Sequence, residues 1–107
     1  DMAHNNSTYE RGICWASTIE VKEVFEWKPL QDYNSDDVVN ILGIQGQLWS
    51  ETITNKDYFD AMINPRLAAL AEIAWCSEAK RSWGHFRSSL MKNMEYMTKM
   101  GWKFHDF

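Results

Sequence analysis

Between Ile41 and Ile53 the chain reads Ile-Leu-Gly-Ile-Gln-Gly-Gln-Leu-Trp-Ser-Glu-Thr-Ile, and no other stretch limits its fold so tightly. Ile41, Leu42 and Ile44 form an apolar run, whereas Gly43 and Gly46 would each cost a helix about 1 kcal/mol relative to Ala. The segment predicts a buried strand running into a loop. Glycine inside a strand pattern marks a bulge or the close approach of another backbone, which suits a crowded barrel interior better than an open sheet. One strand cannot close a sheet, so most of the chain is expected to be helical.

The helices are read from periodicity and caps. Thr18 to Trp27 predicts a short helix with Thr18 as N-cap, Val21, Val24 and Phe25 on one face, and Pro29 as its stop. Ser35 ahead of Asp36 and Asp37 predicts a helical turn. Thr54 is expected to cap a helix from Asn55 to about Ile63, and Asn64-Pro65 restarts it with Pro at the first helical position. From Leu67 to Trp75 only Glu72 interrupts an apolar pattern, so that helix expects cover on several sides. The last helix, about Ser82 to Met100, carries Phe86, Leu90, Met94 and Met97 on one stripe and ends at Gly101, with Arg87, Lys92, Glu95 and Lys99 facing solvent. The first dozen residues are polar enough for a surface loop.

Size and charge narrow the function classes. One hundred and seven residues are enough for one modest core and too few for a complete (β/α)8 barrel, and with Asp1 as its first residue the chain reads as a fragment. Residues 1–60 carry eleven acids against four basic residues, and residues 61–107 four against seven. The basic residues are scattered, without the clustered stripe that nucleic acid requires, so no nucleic-acid partner is expected. No apolar run approaches the roughly 18 residues of a membrane helix, so no membrane partner is expected either. Cys14 and Cys76 lie far apart without metal-ligand spacing; free structural thiols are expected, with a long-range disulfide as the other reading. His4, His85 and His105 share no ligand spacing and read as surface histidines. The methionines at 91, 94, 97 and 100 have helical spacing and read as core packing. No metal and no cofactor are expected.

Trp49 and Glu51 stand apart. If the strand persists past Leu48, residues two apart project to the same side and place an indole face beside a carboxylate. Such a pair suits a sugar: the ring covers the apolar face of a pyranose, and the carboxylate accepts charge-assisted hydrogen bonds from its hydroxyls. Spacing alone favours the other reading, a core Trp and a salt-bridged Glu in a non-catalytic helical interaction or packing module.

The segment from Ile41 to Ile53, followed by Asn64-Pro65-Arg66-Leu67-Ala68-Ala69-Leu70-Ala71-Glu72-Ile73-Ala74-Trp75, resembles the last strand and following helix of the β-N-acetylhexosaminidases of glycoside hydrolase family 20. In the bacterial type, G-x-Q-G-x-L-W-x-E precedes P-R-x-x-A-L-A-E-x-x-W. Asp1-Met2 resembles the end of a Tyr-x-Asp-Met motif, and Tyr9-Glu10-Arg11-Gly12, Trp15 and Val24-Phe25-Glu26-Trp27-Lys28-Pro29 resemble the long loop between the two motifs.

This resemblance implies a mainly α chain with one or two short strands, the C-terminal piece of a (β/α)8 barrel. Residues 1–17 would be the loop after a barrel strand, 18–40 a helix and loop, 41–53 the last barrel strand, 54–76 the last barrel helix, and 82–107 a C-terminal helix and tail. It implies removal of terminal N-acetylglucosamine or N-acetylgalactosamine by a retaining reaction in which the substrate's acetamido oxygen attacks the anomeric carbon. Trp49 would wall the terminal-sugar pocket, Glu51 would bind the C4 and C6 hydroxyls, and Asp1 would assist there. The family's catalytic Asp-Glu pair has no counterpart in these residues, and the Tyr two positions before Asp1 is missing, so the chain alone is expected to be inactive. A barrel glycosidase using paired enzyme carboxylates is the other catalytic reading. Self-association through the unpaired strand edge is expected. The family implies a secreted or periplasmic protein.

Overall fold

The computed structural model describes residues 19–107. The readings at Asp1, His4, Cys14 and Thr18 lie outside them. Among the described residues five α-helices follow in order: α1 (Val21–Glu26), α2 (Ser35–Val38), α3 (Lys56–Ile63), α4 (Arg66–Trp75) and α5 (Trp83–Lys99), with a 3-10 turn at Glu78–Lys80. None of the described helices is long and apolar enough to cross a membrane.

Local chemistry sets the helix ends. Glu20 is the N-cap of α1, where a capping box joins it to Glu23, whose carboxylate accepts the Glu20 N–H at 2.6 Å. The helix stops before Pro29, and Arg81 donates to the carbonyls of Phe25 at 3.4 Å and Trp27 at 3.3 Å, satisfying groups a helix end leaves open. Asn55, and not Thr54, caps α3: its side chain accepts the Tyr58 N–H at 2.9 Å. Pro65 stands at the cap of α4 rather than in its first turn, and Asn64 before it is buried. Ser82 caps α5, which ends at Gly101 with φ +86°, a left-handed conformation that favours glycine.

The core lies where α1, α4 and α5 meet. Val21, Phe25, Ala69, Phe86 and Leu90 are buried together, with Val24, Ala68, Trp83, Met94 and Phe107 packed around them. The Phe25 ring lies 5.0 Å from Phe86 and 5.4 Å from Trp83, centroid to centroid, the latter edge-on. Phe86 and Leu90 thus occupy the expected stripe of α5. The methionines divide: Met94 and Met97 are half-buried, while Met91 and Met100 are exposed, because residues three apart drift around a helix with 3.6 residues per turn. His105 corrects the surface-histidine reading, being buried on the tail that follows α5, whereas His85 is exposed. Cys76 carries a free thiol whose pKa is pushed up mainly by a hydrogen bond with Glu72.

The principal correction concerns the strand. No strand occurs among the described residues, and residues 41–50 carry no regular secondary structure. Residues 42–49 exchange no backbone hydrogen bond with any described residue. A strand is a property of at least two chain segments, and among the described residues no second segment pairs with this one. α4 is likewise covered on one side only: Ala69 and Ile73 are buried, while Leu67 and Trp75 are exposed.

Candidate functional site

Residues 41–50 do not drift free. They lie over α4, and Gly46 marks the close approach: a Cβ there would stand 2.9 Å from Leu70 Cδ2. The close approach expected of a glycine in this run is met at Gly46 by a helix side chain and not by another backbone. Gly43 has open space where its Cβ would be.

This crossing encloses a cleft of about 510 Å³, within the range of about 300–1,000 Å³ that takes small molecules. One wall is Gln45 to Trp49. The opposite walls are Ile19, Val24 and Trp27 around α1, Met62 and Ile63 at the end of α3, and Arg66, Leu67 and Leu70 on α4. The lining is mostly apolar, with Gln45, Gln47 and Arg66 as its amide and charged side chains. Arg66 donates to the Met62 carbonyl. Burial lowers its pKa, and the Glu20 carboxylate pushes it back up.

Trp49 forms part of the cleft and is 59% exposed, with apolar surface available to a ligand. Glu51 is exposed, is not part of the lining, and forms no ion pair with a described Lys or Arg. The premise that put the two on one side does not hold: the chain turns at Glu51-Thr52, where Ile53 N–H donates to Ser50 C=O at 3.0 Å, so strand alternation ends before Glu51. Asp1 lies outside the described residues. Among those described, no three His, Cys, Asp or Glu side chains converge as a metal site.

Sequence reasoning assigned no role to Arg66, Gln45, Gln47 or Trp27, all of which line the cleft. Three of them sit inside the two motifs quoted above, so their signal was position within a motif; periodicity says nothing about a polar residue on the wall of a cleft.

The comparisons give this geometry a family. The profile of the glycosyl hydrolase family 20 catalytic domain matches residues 1–78. A β-N-acetylhexosaminidase of Cellulomonas fimi is 30% identical over 105 residues, covering 98% of this chain and 21% of that protein. A β-hexosaminidase of Vibrio furnissii is 38% identical over 73 residues, covering 66% and 12%. In three dimensions the chain is similar to the family 20 exo-β-N-acetylglucosaminidase of Vibrio harveyi, solved in complex with N-acetylglucosamine, with TM-score 0.79 and 32% identity over 89% of this chain and 15% of that one. The chain belongs to glycosyl hydrolase family 20. It spans about a fifth or less of the length of these relatives.

Proposed function

We propose that the chain is the C-terminal part of the (β/α)8 catalytic barrel of a β-N-acetylhexosaminidase, in which Trp49, Glu51 and Asp1 form part of the pocket for a terminal N-acetylhexosamine. The observation that carries this reading is Trp49, half-exposed on the wall of a largely apolar cleft in a chain of this family. A packing module would bury that indole. In the complete barrel, neighbours on both sides would straighten residues 41–53 into a paired strand, bringing Glu51 round to the side of Trp49. The ring would then cover the apolar face of the sugar, and Glu51 would accept hydrogen bonds from the C4 and C6 hydroxyls.

Hydrolysis would be substrate-assisted. The acetamido oxygen attacks the anomeric carbon, the glycosidic bond breaks as a Glu protonates the leaving oxygen, an Asp steadies the acetamido group, and water opens the resulting oxazolinium ion. No Asp-Glu dipeptide occurs in the 107 residues, so this chain contributes to the pocket and not to proton transfer. Purified alone, it is expected to turn over no chromogenic N-acetylglucosaminide; activity that survives exhaustive purification overturns that. Exchanging the matching stretch of the Cellulomonas fimi enzyme for these residues should retain turnover. Within that chimera, Trp49→Ala and Glu51→Gln should each lower kcat/KM by about 10–100-fold, the worth of a well-placed apolar face or charged hydrogen bond. Unchanged kinetics in both variants would refute the pocket assignment.

The open segment also makes the isolated chain a candidate for pairing with a second copy. Sedimentation velocity is expected to show association that rises with concentration, and a monomer throughout would count against it.

A further inference from the structure

Asp60, Asn64 and His105, at 5%, 5% and 8% exposure, are the buried polar side chains of the described residues, and all three meet the tail that follows α5. Beyond Gly101 the chain doubles back. Lys103 N–H donates to Asp60 Oδ2 at 3.3 Å, and Lys103 C=O accepts from Asn64 Nδ2 at 3.5 Å. His105 N–H donates to the Asn64 carbonyl at 3.1 Å, and its Nε2 lies 3.7 Å from Glu20 Oε2. Phe107 then packs on the core with the Arg87 guanidinium 5.8 Å from its ring centre. Asp60 is further paired with Lys56.

Burying a carboxylate, an amide and an imidazole costs free energy that an apolar tail would avoid, and such groups return it only when their partners are in place. What this arrangement adds is register. Both backbone groups of Lys103 are held, so a slip of one residue breaks both bonds together. The tail also joins the two short segments that bound the cleft. Met62, Ile63 and Arg66, on either side of Asn64, line one wall, and Ile19, next to Glu20, lines another.

We propose that residues 103–107 are a strap, and that Asp60, Asn64 and His105 are positioning residues which set the spacing between the start of α1 and the α3–α4 joint, and so the width of the cleft beside Trp49. The strap stands on these contacts and does not depend on the sugar reading. Native-state hydrogen exchange tests it without any variant. The Lys103 and His105 amides should share one opening equilibrium with Asn64 and with Ala68 and Ala69 at the start of α4. Tail amides that exchange freely while α4 stays protected would overturn it. In His105→Ala, exchange at residues 62–69 and 21–25 should accelerate by about tenfold or more while α5 changes by less than about twofold. His105→Gln, whose amide can still reach Glu20, should restore protection. Equal acceleration in every helix would reduce the tail to a general stabiliser and refute a positioning role.

Discussion

The α1–α4–α5 core and the segment 41–53 hold apolar residues of the same kind and treat them in opposite ways. Val21 and Ala69 are fully buried, whereas Leu42 is 100% exposed and Trp49 59%. The helices satisfy their own backbone hydrogen bonds, so a few interlocking rings and methyl groups suffice to hold them. An extended segment must find both its hydrogen bonds and its side-chain cover in a neighbour. Where the neighbour is not at hand, the segment stays unpaired, with Ile41, Ile44 and Leu48 only half-buried and Leu42 in the open.

Paired substitutions would break or sharpen this contrast. Phe86→Ala should cost about 3–5 kcal/mol, since it leaves a hole between Phe25 and Trp83, while Leu42→Ala should fall within about 0.5 kcal/mol. Urea denaturation of both measures the difference, and a comparable loss at Leu42 would mean that the segment is packed after all. The two glycines give a smaller version of the same comparison. Gly46→Ala pushes a methyl group against Leu70, for about 1 kcal/mol of destabilisation, whereas Gly43→Ala meets open space and should be close to neutral. Equal effects at the two positions would show that the crossing over α4 is not a close one.

The smallest expected effect is electrostatic. A hydrogen bond from Lys28 holds the Glu78 carboxyl below its usual value of 4.5, although both side chains are half exposed or more. A depressed folded-state pKa means that the pair contributes above the unfolded value and loses that contribution as pH falls through the folded one. Thermal melts of the protein and of Glu78→Gln should therefore differ slightly at neutral pH and converge in acid. A gap that widens on acidification would contradict the pairing.

Much of the helical part was legible from residue order. The stripe of Phe86 and Leu90, the stop at Gly101 and the interruption at Asn64-Pro65 follow from 3.6-residue periodicity and from backbone chemistry confined to a few neighbours. Caps were legible to within two residues, since Asn55 and Thr54 are both good acceptors and only the turn geometry chooses between them. The motifs around Trp49 and Arg66 indicated the family. His105 was misread because burial of an imidazole depends on its neighbours Asn64 and Glu20, which are distant in sequence.

Helix positions and the amphipathic pattern of α5 are thus written in local sequence, because each helical hydrogen bond closes within four residues. The fate of residues 41–53, the inward turn of His105 and the side on which Glu51 lies depended on folding in three dimensions. Each is decided by groups tens of residues away, whose approach no local pattern encodes: Leu70 beneath Gly46, Glu20 beside His105, and the strand partners that the described residues do not supply.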